Sequence, residues 1–139
     1  MQTAKRILLV EDDKDDQQLF CEALSEIHPS IFCQVANNGL EALSFLSIHP
    51  AFEMVFLDLN MPKIDGFECL TVLKSHLSYR DIPVIVLSTS SRQEDINRCK
   101  DLGAATFFTK PTSYTLLFDK LRDILTIGVH VKDRTGGSQ

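Results

Sequence analysis

The chain has 139 residues, 44% of them apolar, and a net charge of −5, which suits one domain with a single core. No block of lysine and arginine is present, so the sequence excludes an electrostatic footprint for nucleic acid. The first apolar run covers only residues 7–10 before three acids, too few for a signal peptide or a membrane span. We therefore expect a cytoplasmic protein with no nucleic-acid or membrane partner.

Five short apolar runs recur along the chain, and each is followed by a segment with helical periodicity. Near-continuous apolar runs are typical of strands that are covered on both faces. The runs are, in order, RILLV, IFCQVA, EMVFLDL, IPVIVLS and ATFFTK. The fourth helical segment is mostly polar, with a thin apolar stripe, and Gly103 is its predicted stop signal. The fifth segment is predicted to be a helix over Thr115 to Ile127.

Strict alternation of strands and helices with short connections indicates a parallel sheet with right-handed crossovers. The predicted fold is therefore an α/β domain, with a doubly wound five-stranded parallel sheet and five helices, over residues 1–127. Residues 128–139 are polar and end in a glycine-rich stretch, so we expect a flexible tail. The four cysteines form no C-x-x-C pair, and free thiols are favoured over a disulfide or zinc framework.

Polar side chains follow four of the predicted strands. Ligands of such sheets bind outside the carboxyl ends of the strands, where the strand order reverses, so these side chains should converge on one rim. They are Glu11, Asp12 and Asp13 after the first strand, Asp58 after the third, Ser88 and Thr89 after the fourth, and Lys110 after the fifth.

Clustered carboxylates resist ionising together unless a hard cation lies among them, which predicts a Mg²⁺ site, with Mn²⁺ as an alternative ion. Asp12, Asp58, a backbone carbonyl and waters would suffice as ligands. Lys110 and a hydroxyl supply the cation and the hydrogen-bond donor that a phosphoryl group needs. Since a carboxylate can attack phosphorus, Asp58 is the predicted acceptor of a phosphoryl group.

A resemblance to a known protein family extends from Arg6 to Leu125. It rests on four segments that occur in this order: LLVEDD, FLDLNMPKIDG, PVIVLSTS and FFTKP. With them the chain resembles the response-regulator receiver domains of two-component signalling, of the CheY type. The resemblance implies the flavodoxin-like (βα)5 receiver fold. It also implies that Asp58 is the phosphoacceptor, that Asp12 binds the metal directly and that Glu11 reaches it through water. The backbone carbonyl of Asn60 would complete the metal shell.

The resemblance assigns further roles around this centre. Ser88 supplies the hydroxyl and Lys110 the ammonium that contact the phosphoryl group, and the bond from Lys110 to Pro111 is expected to be cis. Gly66 fits a turn in which a side chain would clash. Phe107 takes the place of the switch aromatic that is commonly tyrosine, so it can couple by burial but not by a hydroxyl hydrogen bond.

The implied function is that of a stand-alone response regulator, a signalling domain rather than a turnover enzyme. Its phosphodonor would be a phosphohistidine on a histidine kinase or a phosphotransfer protein. Its output would be a changed surface, formed by the fourth helix, the fifth strand and the fifth helix, that binds a target protein or a second copy. The stretch KSHLSYRDIPVIVLSTS is similar to single-domain receivers paired with phytochrome-type kinases.

Several of these residues have other interpretations. Asp13 is expected to cap the first helix, and Ser90 or Ser91 to cap the fourth. Phosphohydrolases of the haloacid dehalogenase type need a second aspartate where this chain has Asn60, which disfavours that class. The alternative that stays open is a binding module with the receiver fold that works without phosphorylation.

Overall fold

The computed structural model describes residues 5–49, 51–61, 66–89 and 92–127, so the predicted tail at 128–139 lies outside the described residues. Strands and helices alternate throughout, as the apolar runs predict. The elements are β1 (Arg6–Val10), α1 (Lys14–Ile27), β2 (Phe32–Ala36), α2 (Gly39–Ile48), β3 (Met54–Asp58), α3 (Gly66–Ser75), β4 (Val84–Ser88), α4 (Gln93–Asp101), β5 (Thr106–Thr109) and α5 (Tyr114–Ile127).

The five strands form one sheet in the order β2-β1-β3-β4-β5, and every neighbouring pair is parallel. This confirms the predicted doubly wound, flavodoxin-like fold. The chain reverses its direction of travel across the sheet at β1, so the switch point lies between β1 and β3. Val10 at the end of β1 is in register with Leu57, one residue before Asp58. The acids after β1 and β3 therefore share one crevice.

The sheet is covered on both faces, and its central strands are the most deeply buried. Every residue of β3 and β4 is buried, including the terminal Asp58 and Ser88. One apolar layer joins the sheet to α2, α3 and α4, and the other joins it to α1 and α5. Both layers are apolar because parallel strands with helices on each side expose neither face to water. No helix in the described parts of the chain combines the length and apolar character that a membrane crossing requires.

The helix ends agree with most of the local signals. Asp13 caps α1, since its carboxylate accepts a hydrogen bond from the Asp16 N–H at 2.9 Å. Gly103 follows α4 with φ of +102°, a conformation that favours glycine, which confirms the stop signal. The residue at the N-cap of α4 is Arg92, which makes no side-chain cap bond. The predicted caps Ser90 and Ser91 lie outside the described residues.

The expected cis bond before Pro111 is wrong, because the described residues contain no cis peptide bond and Lys110–Pro111 is therefore trans. A trans bond before proline is intrinsically favoured by about 0.5–1 kcal/mol. The N–H of Lys110 donates to the Ser88 carbonyl at 2.7 Å and so extends the pairing of β5 with β4. This pairing brings the backbone of Lys110 to the rim.

The backbone after β3 passes close to the start of α3. A Cβ atom at Gly66 would lie 2.5 Å from Leu59 Cα, 2.7 Å from Leu59 Cδ2 and 3.0 Å from the Asp58 carbonyl oxygen. Two of these three atoms belong to the backbone, so a side chain could be fitted only by moving the segment that carries Asp58. Glycine at this position allows α3 to begin directly beneath the rim.

We expect Gly66→Ala to lower the free energy of unfolding by about 1–3 kcal/mol, because the added methyl group overlaps the backbone of Leu59. Urea denaturation followed by circular dichroism measures the change. Thr71→Ala is the matched control on the exposed side of α3, and it should change stability by no more than about 0.5 kcal/mol. Equal losses for the two variants would contradict the steric explanation.

Candidate functional site

Three carboxylates meet at the carboxyl ends of β1 and β3. One oxygen from each of Glu11, Asp12 and Asp58 lies within 4.8 Å of the others. Glu11 is 2% exposed and Asp58 1% exposed, whereas Asp12 is open to solvent. Two of the acids are therefore buried and one is exposed to solvent. The predicted convergence of these three carboxylates at one rim of the sheet is present.

Lys110 reaches into this acidic cluster from the end of β5. Its Nζ lies 3.0 Å from Glu11 Oε1 and 3.4 Å from Asp58 Oδ2. A third acid, Asp16 in the first turn of α1, approaches Nζ at 3.1 Å. One ammonium thus faces three carboxylates, and Asp12 adds a fourth negative charge nearby.

Burial and the excess of carboxylates together determine the pKa values of Glu11 and Lys110. Burial, and then the charge of Asp58, raises the pKa of Glu11 to about 7, although Lys110 and the Asp13 N–H both stabilise its ionised form. Burial alone would lower the pKa of Lys110, but its bond to Glu11 and the charge of Asp58 outweigh burial and raise this pKa. Lys110 is therefore a cation at neutral pH, while Glu11 is poised between its two protonation states.

The donor set fits a hard divalent cation. Mg²⁺ and Mn²⁺ prefer carboxylate and carbonyl oxygens, and the three acids offer one oxygen each within a small space. Burial and the charge of Asp58 disfavour the ionised form of Glu11, and a cation bound beside this carboxylate would favour it. Glu11, Asp12 and Asp58 are the residues that would hold such an ion.

Asn60 links the end of β3 to the end of β4. Its N–H donates to Asp58 Oδ1 at 3.0 Å. Its side-chain oxygen accepts hydrogen bonds from Ser88 Oγ at 3.2 Å, from the Thr89 N–H at 3.0 Å and from Thr89 Oγ1 at 3.2 Å. The role of the Asn60 backbone carbonyl as a metal ligand stays a prediction. The hydrogen bonds that the Asn60 side chain accepts from Ser88 and Thr89 were not predicted from the sequence.

Residues 7–122 match the family model of the response regulator receiver domain. The chain belongs to this family. Receiver domains are signalling domains of two-component systems, in which they are partners of histidine kinases, and they are not turnover enzymes. The acidic cluster of Glu11, Asp12 and Asp58 is present at the rim of the sheet of this receiver domain.

Individual relatives support the same assignment. The response regulator Rcp1 of Synechocystis is 34% identical over 126 residues, which cover 86% of this chain and 86% of Rcp1. The phosphorylated cyanobacterial phytochrome response regulator RcpA superposes with a TM-score of 0.84 at 33% identity, over 93% of this chain and 96% of that one. The Mn²⁺-bound form of Rcp1 gives a TM-score of 0.74 at 34% identity, over 88% of this chain and 92% of that one.

Sequence reasoning missed three residues that shape the receiver site. Asp16 contacts Lys110, and Gln17 donates from Nε2 to the Glu11 carbonyl at 2.6 Å and to Asn37 Oδ1 at 2.8 Å. The position of Asp16, one turn after the cap residue Asp13, was the available signal, because α1 begins at the rim. Asn37 directly follows β2 and therefore lies at the same rim of the sheet.

The two neighbouring aromatics of β5 lie on opposite sides of the sheet. Phe108 is buried in the layer with α1 and α5, and Phe107 packs, partly buried, against the layer with α2, α3 and α4. This is the alternation of a strand. The role of Phe107 as a switch residue stays a prediction.

We expect the free energy of unfolding of the metal-free protein to fall as the pH rises from 4.5 to 7. The reason is that the carboxyl of Glu11 ionises near pH 4.5 in the unfolded chain and near pH 7 in the folded protein. Below pH 4.5 the carboxyl is protonated in both the folded and the unfolded state, so the stability that is lost at higher pH is fully present there. Glu11→Gln should remove about 1–3 kcal/mol of this pH dependence. Urea denaturation with a metal chelator, from pH 4 to 8, measures it.

Glu22→Gln, at an exposed position of α1, is the control and should keep the wild-type pH dependence. An unchanged pH dependence in Glu11→Gln would show that burial does not perturb the Glu11 carboxyl as described.

Proposed function

We propose that Asp58 accepts a phosphoryl group, in a Mg²⁺-dependent reaction, from the phosphohistidine of a histidine kinase or phosphotransfer protein. The observation that carries this proposal is the position of Asp58. Its carboxylate is 1% exposed at the end of a central strand, beside two further acids and 3.4 Å from a lysine ammonium. A buried carboxylate in acidic surroundings is costly to maintain, which favours a chemical role over a structural one.

The chain supplies a nucleophile and its surroundings. An oxygen of Asp58 attacks phosphorus, the bond between phosphorus and the donor imidazole breaks, and the imidazole nitrogen keeps the electron pair. The Asn60 N–H holds Asp58 Oδ1, while Lys110 faces Oδ2 and would pair with the oxygens of the arriving phosphoryl group. A divalent cation bound by the three acids would neutralise part of the phosphoryl charge.

The response to phosphorylation would begin at Ser88. Its hydroxyl lies against Asn60, next to the acceptor, and we propose that it turns toward the phosphoryl oxygens and draws Thr89 with it. Ser88 pairs in register with Thr109 of β5, and Val86 pairs with Phe107. A shift at the end of β4 would therefore reach the α4–β5–α5 face, with Phe107 responding by a change in burial.

The partners follow from this mechanism. The rearranged α4–β5–α5 face would bind a target protein or a second copy of the chain. Because RcpA is described as a phytochrome response regulator and shares 33% identity, we propose a phytochrome-type histidine kinase as the phosphodonor.

Incubation with acetyl phosphate and Mg²⁺ should add one phosphoryl group, detected by intact mass, and Asp58→Asn should abolish the adduct because its amide is no nucleophile. Asp12→Asn should weaken or abolish it through loss of a metal ligand. Asp13→Asn is the matched control at the neighbouring acid, and it should retain the adduct because asparagine caps a helix as well as aspartate does.

Beryllofluoride binding is measured for the wild type and for the same variants. It distinguishes a chain that is phosphorylated but rapidly hydrolysed from one that is not phosphorylated at all. A wild-type chain that neither gains the adduct nor binds beryllofluoride would contradict the proposal and favour a module that works without phosphorylation.

Beryllofluoride with Mg²⁺ should change the oligomeric state or the affinity for a target, measured by light scattering or by titration. Phe107→Ala should bind beryllofluoride but lose at least half of this response, because the aromatic ring that couples β5 to the face is removed. Phe45→Ala truncates a partly buried phenylalanine of α2 in the same apolar layer and should keep the response. No response in the wild-type chain by either measurement would rule out the proposed output face.

A further inference from the structure

Two cysteines that the phosphoacceptor site does not use lie in direct contact. Cys21 of α1 and Cys33 of β2 are free thiols, both partly exposed, and their sulfur atoms are 3.2 Å apart. The sequence spacing gave no indication of this contact. The other two cysteines, Cys69 and Cys99, are buried in the opposite apolar layer and have no such neighbour among the described cysteines.

We propose that Cys21 and Cys33 form a reversible intramolecular disulfide when the protein encounters hydrogen peroxide. A disulfide needs a sulfur separation of about 2.05 Å, so the two atoms have to approach by roughly 1.2 Å. Rotation about the side-chain bonds of the two cysteines would supply a movement of this size.

Side-chain hydrogen bonds already join α1 to the residue that follows β2, close to the two thiols. In the first turn of α1, Lys14 Nζ donates to Asn37 Oδ1 at 2.9 Å and Gln17 Nε2 donates to the same oxygen at 2.8 Å. Asn37 directly follows β2, so these bonds fix α1 against β2 one turn before Cys21. A covalent bond between Cys21 and Cys33 would strengthen an existing contact between helix and strand.

The two thiols have different roles. The hydrogen bond between the two sulfur atoms lowers the pKa of Cys21 despite its burial, and the same bond together with burial raises the pKa of Cys33. Burial raises the pKa of Cys69 and of Cys99 to about 11. Because the thiolate is the reactive form, Cys21 is the attacking residue and Cys33 the resolving one.

The reaction proceeds in two balanced steps. The Cys21 thiolate attacks one peroxide oxygen, the O–O bond breaks, and the released hydroxide takes a proton to give water. Cys33 sulfur then attacks the sulfenic sulfur of Cys21, the S–O bond breaks, and the hydroxyl group leaves as water with the Cys33 proton. Each sulfur loses one electron overall, and the peroxide is reduced to two waters.

Peptide mapping of the full chain tests the inference. The reduced protein is treated with hydrogen peroxide, remaining thiols are alkylated, and the chain is cut after glutamate. No lysine or arginine occurs between residues 15 and 62, so trypsin leaves both cysteines in one peptide, whereas cleavage after Glu22 or Glu26 separates them. We expect a linked peptide pair that lacks two hydrogen atoms, that separates on addition of dithiothreitol, and that comes from a monomeric chain.

Variants sharpen the assignment. The double variant Cys69→Ala, Cys99→Ala should still form the linked pair, and Cys33→Ala should leave a sulfenic acid on Cys21 that a dimedone probe traps. In the untreated protein, iodoacetamide should alkylate Cys21 at least about tenfold faster than Cys69 or Cys99. Sulfinic or sulfonic acid at Cys21 of the wild type without a linked pair, or a linkage between two chains, would overturn the proposal.

Discussion

The imbalance of charge around Lys110 is the constraint on which the site depends. Glu11 and Asp58 end two adjacent strands of the sheet and are almost fully buried, and burying an ion costs several kcal/mol even after the protein relaxes. One ammonium is close to both of them, and it also faces Asp16. Burial, together with the charge of Asp58, keeps the pKa of Glu11 high, and the excess of carboxylates makes the crevice receptive to a divalent cation.

The strand order explains how this charge can be concentrated. With β1 beside β3, the acids after both strands open into the same crevice. Lys110 ends β5, which is two strands away from β3, and the long flexible side chain of lysine spans that distance. Gly66 completes the arrangement, because the close approach of α3 to Leu59 supports the backbone on which Asp58 sits.

Helix α1 connects the acidic cluster to other parts of the molecule. Its first turn places Asp16 on Lys110 and Gln17 on the carbonyl of Glu11. One turn later it carries Cys21, which contacts Cys33 of β2. The far part of the helix is bonded to α5 through the hydroxyl of Tyr114 and the carboxylate of Glu26. A single element thus borders the proposed phosphoacceptor site, the thiol pair and the fifth helix.

The sequence by itself determined the order of strands and helices, the caps at Asp13 and Gly103, and the rim residues from Glu11 to Lys110, because apolar periodicity and turn chemistry are local properties. Only the tertiary structure decided that Asp16 meets Lys110 across 94 residues of chain, that Asn60 turns its side chain to Ser88, and that Cys21 touches Cys33. The structure also decided that the bond before Pro111 is trans. These features depend on which side chains the packed layers bring together, and no short segment of sequence contains that information.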